Sequence, residues 1–116
     1  MFNYKKKFDG YELETEQDGP CGTIFYSEQG GRLPLYWQYI RGGSGVAVPP
    51  PELWDQYCEK HDFPQGKGRR DEILTRVAKY IIMWYGSGLL DRLLRRKYEG
   101  DYEITDNSLT VLYYSV

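Results

Sequence analysis

Cysteine and histidine are scarce in this chain of 116 residues: Cys21 and Cys58 are the two cysteines and His61 is the one histidine. Two thiols do not make the disulfide framework of a small secreted protein, although a single Cys21–Cys58 bridge could still form. With one imidazole they also fall short of the four ligands of a closed zinc site. No metal and no cofactor is therefore expected. No apolar run approaches the roughly 20 residues needed to span a bilayer. The start MFNYKKKFDG carries three lysines with no apolar segment behind them, so it does not read as a signal peptide. The expectation is a cytoplasmic protein with no membrane partner. Repeats and low-complexity linkers are missing too, and the length suits one domain over residues 1–116.

What is abundant is aromatic. Aromatic residues make up 16% of the chain, and 12 of them are tyrosines. Tyrosine suits a surface that is apolar in its body and wet at its tip. Charge is near balance, with a formal net of −2 and a pI near 5.4, which argues against a generally basic nucleic-acid binder. The balance hides blocks. Residues 1–66 hold 6 lysines and arginines against 10 carboxylates, residues 67–97 hold 9 against 3, and residues 98–116 hold none against 4. Such a pattern fits pairing between helices and sheet, a polar dimer contact, or an anion site.

The turn signals divide the chain into strands, then helices, then strands. Asp9–Gly10 predicts a first hairpin, because glycine adopts positive φ without cost. TIFYSE (23–28) and RLPLYWQYI (32–40), separated by Gln29, Gly30 and Gly31, predict a second. RGGSG reads as flexible, and GVAV as a short strand. PPPELWDQYCEKHDFP predicts a helix, with proline tolerated in its first turn and Leu53, Trp54, Tyr57, Cys58 and His61 recurring at three and four. RRDEILTRVAKYIIMWYG predicts the longest helix, its stripe being Ile73, Leu74, Val77, Ala78, Ile81 and Trp84. LLDRLLRRK (89–97) predicts a third, and DYEITDNSLTVLYY two strands about Asp106–Asn107. The expected fold class is α+β: an antiparallel sheet, built from an N-terminal meander plus a C-terminal hairpin, with two or three helices packed on one face.

In the aromatic strand a period of two puts Leu33, Leu35, Trp37 and Tyr39 on one side. That side is wholly apolar and must meet the helices. Pro34, Tyr36, Gln38 and Ile40 fall on the other, mixed side. Tyr26 with Glu28, and Tyr113 or Tyr114, are expected on similar mixed faces. A tyrosine-lined face should then be covered by a second subunit or used for a ligand, since large apolar patches rarely stay bare.

Candidate sites are few. In GKGRR (66–70) glycines, cations and a helix N-terminus come together, the combination that captures phosphate or carboxylate. It is no Walker motif. Arg69 and Arg70 stand where the macrodipole disfavours cations by about 0.3 to 1 kcal/mol each, so something must compensate: internal partners such as Asp71, Glu72 or the acidic strands, or a bound anion. Lys67, Arg69, Arg70 and Tyr36 are the candidate ligand-binding residues. Cys58 and His61 share a helical face and could form a thiol–imidazole dyad, but a packed cysteine and a helix-end histidine are the simpler reading. No catalytic residue is assigned.

The run WDQYCEKHDFPQGKGRRDEILTRVAKYI resembles a group of small uncharacterised bacterial proteins. In these a Trp-Asp helix is followed by a proline and a GRRxEILxRVA helix. The matching positions are Trp54, Asp55, Pro64, Gly68, Arg69, Arg70, Glu72, Ile73, Leu74, Arg76, Val77 and Ala78. The resemblance covers about a quarter of the chain. Pro64-Gln65 stands where the group has Pro-Trp, and SGLLDRLLRRKYEG is an insertion. The resemblance implies no activity. The small size is also similar to products of mobile, integron-type gene cassettes.

The expected function is a non-enzymatic binding or interaction protein, acting as a homodimer, with a protein or small anionic partner and no nucleic acid. Two other classes stay open. One is a small enzyme with a pocket between sheet and helices, using His61, Cys58 or a tyrosine. The other is an immunity or inhibitor protein that meets a toxin with its acidic surface, which an acidic patch clear of the basic helices would favour.

Overall fold

The computed structural model describes residues 2–85 and 98–115. Seven antiparallel strands form one sheet: β1 (Phe2–Lys7), β2 (Glu12–Asp18), β3 (Cys21–Glu28), β4 (Gly31–Ile40), β5 (Gly43–Ala47), β6 (Tyr98–Ile104) and β7 (Ser108–Ser115). Their spatial order is β1-β2-β3-β4-β5-β7-β6. The first five strands are a meander, and the last two are a hairpin whose second strand pairs with β5. The fold is α+β. Between the two sheet portions run α1 (Pro51–Lys60), a 3-10 turn at Pro64–Gly66, and α2 (Arg70–Tyr85). The helix expected over residues 89–97 lies outside the described residues.

Local chemistry explains the turns. Gln29 and Gly30 both adopt positive φ, at 51° and 82°, the pairing that matches a two-residue loop to the right-handed twist of its strands. The segment RGGSG is not a flexible loop. Arg41 and Gly42 form a tight turn and Gly43 opens β5, because β4 and β7 supply hydrogen-bond partners on both sides. A Cβ on Gly43 would overlap the carbonyl oxygen of Val111, so only glycine lets β5 approach β7 there.

The helices cover one face of the sheet. The core holds Leu13, Ile24, Tyr26, Leu33, Leu35, Trp37, Val46, Leu109 and Val111 from the strands, with Trp54, Phe63, Ile73, Leu74, Val77, Ile81 and Trp84 from the helical segment. The Trp37 and Trp84 rings lie 4.9 Å apart, and the stripe on α2 faces inward as its periodicity predicts. Trp54 Nε1 donates to the carbonyl of Gly66 at 2.8 Å, fixing α1 to the 3-10 turn. Tyr80 donates to the carbonyl of Tyr4 at 2.8 Å and is bonded to Thr15 at 2.6 Å, fixing α2 to β1 and β2.

Three expectations about side-chain direction are corrected. Tyr26 and Glu28 do not join the open face; both are buried beneath the helices, because their strand parity is that of Ile24, opposite Leu35 and Leu33. Leu53 does not share the buried face of α1 and is 46% exposed. Tyr39 has the parity of Trp37 but lies at the strand's end, where it is exposed and packs edge-on to Trp37 at 4.6 Å. Tyr113 and Tyr114 lie outside the described side chains.

Candidate functional site

The residues singled out at the start of α2 are placed together, and they are engaged by the chain itself. Arg69 donates through Nη1 to Glu28 Oε1 at 2.7 Å and through Nη2 to Glu28 Oε2 at 3.1 Å, a two-pronged contact. Its Nε also donates to Glu72 at 2.7 Å, and its Nη1 to the carbonyl of Gln65 at 2.9 Å. Arg70 donates to the carbonyls of Pro49, Thr105 and Asp106 at 2.9, 2.6 and 3.2 Å. Lys67 pairs with Glu59. The backbone amides of the loop are also taken: Lys67 N donates to Pro64 O, Gly68 N to Asp55 Oδ1 and Arg69 N to Gly66 O. The compensation that two cations at a helix N-terminus require comes from these groups.

Around Glu28 lies a polar cluster that the sequence did not announce. Its carboxylate is 7% exposed and accepts from Tyr26 at 2.5 Å as well as from Arg69. Arg76 donates to the Tyr26 hydroxyl at 2.7 Å and lies 4.1 Å over the Tyr11 ring. The Arg69 guanidinium holds the Glu28 carboxyl below its ordinary value. Burial, aided by Glu28, pushes the Tyr26 phenol up to about 12. At neutral pH the cluster is an ionised carboxylate between two guanidinium groups and a neutral phenol, and each member is satisfied. It clamps α2 to the end of β3. The missed signal was Glu28 in phase with Ile24, a carboxylate on a strand face that must be covered.

The thiol and imidazole of α1 do not form a pair. Cys58 is fully buried, and burial pushes its thiol up to about 11, away from thiolate chemistry. His61 caps the helix C-terminus, half-buried, with its ring 4.5 Å from that of Tyr57. Tyr57 donates in turn to the carbonyl of Pro34, covering the part of β4 that β5 does not reach. Cys21 and Cys58 are both free. Among the described residues no group of three potential ligands could hold a metal ion, and no helix is long and apolar enough to cross a membrane.

The open face of the sheet is different. Cross-strand register sets Tyr36 opposite Thr23 and Ala47, and Gln38 opposite Cys21 and Gly45. The neighbouring Cys21 thiol holds the Tyr36 hydroxyl above its ordinary value. Because β5 carries only Gly43, Gly45 and Ala47 on this side, it forms the floor of a trough of about 310 Å³. Tyr36 and Ile40 of β4 stand along one wall, and Ser108 and Thr110 of β7 along the other. Leu112 continues that wall opposite Gly43. Tyr36 and Leu112 are 53% and 46% exposed. Such a surface can accept apolar side chains from a partner. No family model, no curated protein and no solved structure matches this chain.

Proposed function

We propose that this chain is a non-enzymatic binding protein that works by holding another protein against the open face of its sheet. The observation that carries this reading is the trough over β5, whose walls include the exposed Tyr36 and the half-buried Ile40. The helix side has larger hollows, of about 560 Å³ beside Leu53 and Tyr57 and about 430 Å³ beside Arg69 and Arg70, but the groups there that could do chemistry are engaged: Arg69, Arg70 and Lys67 are tied to acceptors of the chain, and Cys58 is sealed in the core. Of the residues singled out in the sequence, Tyr36 is the one this reading uses; the three cations serve to hold the helices in place. Two unbridged thiols fit a cytoplasmic setting.

A photo-crosslinking residue placed at Ala47 in living cells should give a discrete protein adduct, and the same residue at Lys79, on the outer side of α2, should not. Absence of any adduct from Ala47, with the chain folded and expressed, defeats the reading. A homodimer on this face is a second reading, favoured by the exposure of Tyr36 and Leu112. It predicts a mass by light scattering that rises with concentration at micromolar levels and falls back to the monomer in Tyr36→Asp.

A further inference from the structure

We infer that the trough over β5 takes a cationic polypeptide segment in extended form, with apolar side chains in the trough and lysine or arginine groups against the carboxylates around it. This rests on the open-face reading above and adds the chemistry of the partner. Strand register locates those carboxylates. Glu16 lies in the row that runs through Thr23, Tyr36, Ala47 and Ser108, between Thr23 and the register position of Asn3 on the edge strand β1. Asp18 and Glu103 end, on opposite sides, the row through Cys21, Gln38, Gly45 and Thr110. Asp101 lies beyond Leu112 in the row of Gly43. All four are exposed, and among the described residues none has an ion pair.

The other end of the same face is unlike this. There Lys5 is bound to Glu12 at 3.2 Å and Arg32 to Glu14 at 3.1 Å, so charge is met within the sheet. At the trough, among the described residues, the exposed turn residue Arg41 is the nearby cation set against the four carboxylates. From β5, the floor of the trough, β6 is two strands away and β2 three, which places Asp101 and Glu103 about 10 Å to one side and Glu16 and Asp18 about 14 Å to the other. Asp101 and Glu103 are within reach of lysine and arginine side chains rooted in a segment lying along β5, and Glu16 and Asp18 meet cations carried farther across the β4 wall.

The shape selects an extended chain. Tyr36, Gln38 and Ile40 recur along β4 every second residue, about 7 Å, the interval at which an extended segment presents alternate side chains. β5 is paired on both sides, so the contact is made by side chains and not by adding a strand to an edge. The charge opposes other occupants. A second copy of the same patch brings carboxylates to carboxylates, and nucleic acid or an anionic lipid surface brings phosphate to them.

The test uses the full chain and three short synthetic peptides: alternating lysine and leucine, alternating glutamate and leucine, and alternating lysine and serine. Titration calorimetry should give tightest binding for lysine–leucine, by about tenfold or more over both others, with affinity falling as salt rises. The fourfold variant Glu16→Gln, Asp18→Asn, Asp101→Asn, Glu103→Gln should lose about tenfold for that peptide while its thermal unfolding stays in place. Tyr36→Ser should weaken lysine–leucine and leave lysine–serine unchanged. Equal binding of the lysine and glutamate peptides overturns the cationic partner, as does indifference to the fourfold variant. A photo-adduct at Ala47 without any preference for lysine–leucine overturns the inference and leaves the binding face standing; no adduct and no peptide binding removes both.

Discussion

Glu28 and the four carboxylates of Glu16, Asp18, Asp101 and Glu103 belong to the two faces of one sheet, and they sit in opposite circumstances. Glu28 is covered by α2 and meets Arg69, Arg76 and Tyr26 at hydrogen-bond distances. The other four are exposed beside an apolar trough. The comparison teaches that the most charged stretch of a sequence need not be its reactive surface. The arginines at the start of α2 look like an anion site until their partners are found, up to 41 residues away in the chain. Their charge is used in holding helix to sheet. Around the trough of the opposite face, charge stays without an ion pair among the described residues, and unmatched charge beside apolar surface is what a partner can recognise.

The contrast can be broken most forcefully in the core. Trp84→Ala should cost about 3 to 5 kcal/mol in urea unfolding, because it empties the space against Trp37. If its midpoint barely moved, the stacking of α2 on the covered face would be wrong. Glu28→Ala comes next, at about 2 to 4 kcal/mol, since it strands two guanidinium groups in a half-buried site. A loss no larger than that of a surface substitution would mean the clamp contributes little.

The same clamp has a pH signature. The Glu28 carboxyl is held below its ordinary 4.5 by Arg69, so its contribution is present above the unfolded value and is lost as pH falls through the folded one. The stability difference between wild type and Glu28→Gln should be full near neutrality and shrink as pH drops below about 4.5. A constant difference down to strong acid would show that the carboxylate's charge is not what stabilises. On the open face, Tyr36→Ser should change stability by no more than about 0.5 kcal/mol, and a loss comparable with that of Trp84→Ala would erase the distinction between the faces. The smallest effect is kinetic: iodoacetamide should label Cys21 in the native protein and reach Cys58 only on unfolding, and mass spectrometry reads both.

Much of this architecture follows from local pattern. In β4 one parity is wholly apolar, so the buried side of Leu33, Leu35 and Trp37 is determined within the strand. The α2 stripe is determined in the same way, by side chains three and four apart. Turn chemistry marks the hairpins at Asp9–Gly10, Gln29–Gly30 and Asp106–Asn107. β3 is ambiguous by itself: Ile24 and Tyr26 are apolar on one parity and Phe25 on the other, so its direction was settled by pairing with β4. The glycine-rich opening of β5 carries no strand signal, and it is ordered as a strand by the neighbours on either side.

The sites were legible in residue type and not in partnership. Sequence alone determined that the chain would build an α+β sheet with one aromatic strand half out of the core, because periodicities of two and near four are written between adjacent residues. Only the tertiary structure decided which charges meet. Glu28 finds Arg69 and Arg76 after the chain has passed through two more strands and a helix, while Glu16 and Glu103 reach the same trough from β2 and β6, brought there by the insertion of β7 beside β5. Ion pairing depends on separations of a few ångströms in space, and those separations exist only once the sheet order is set.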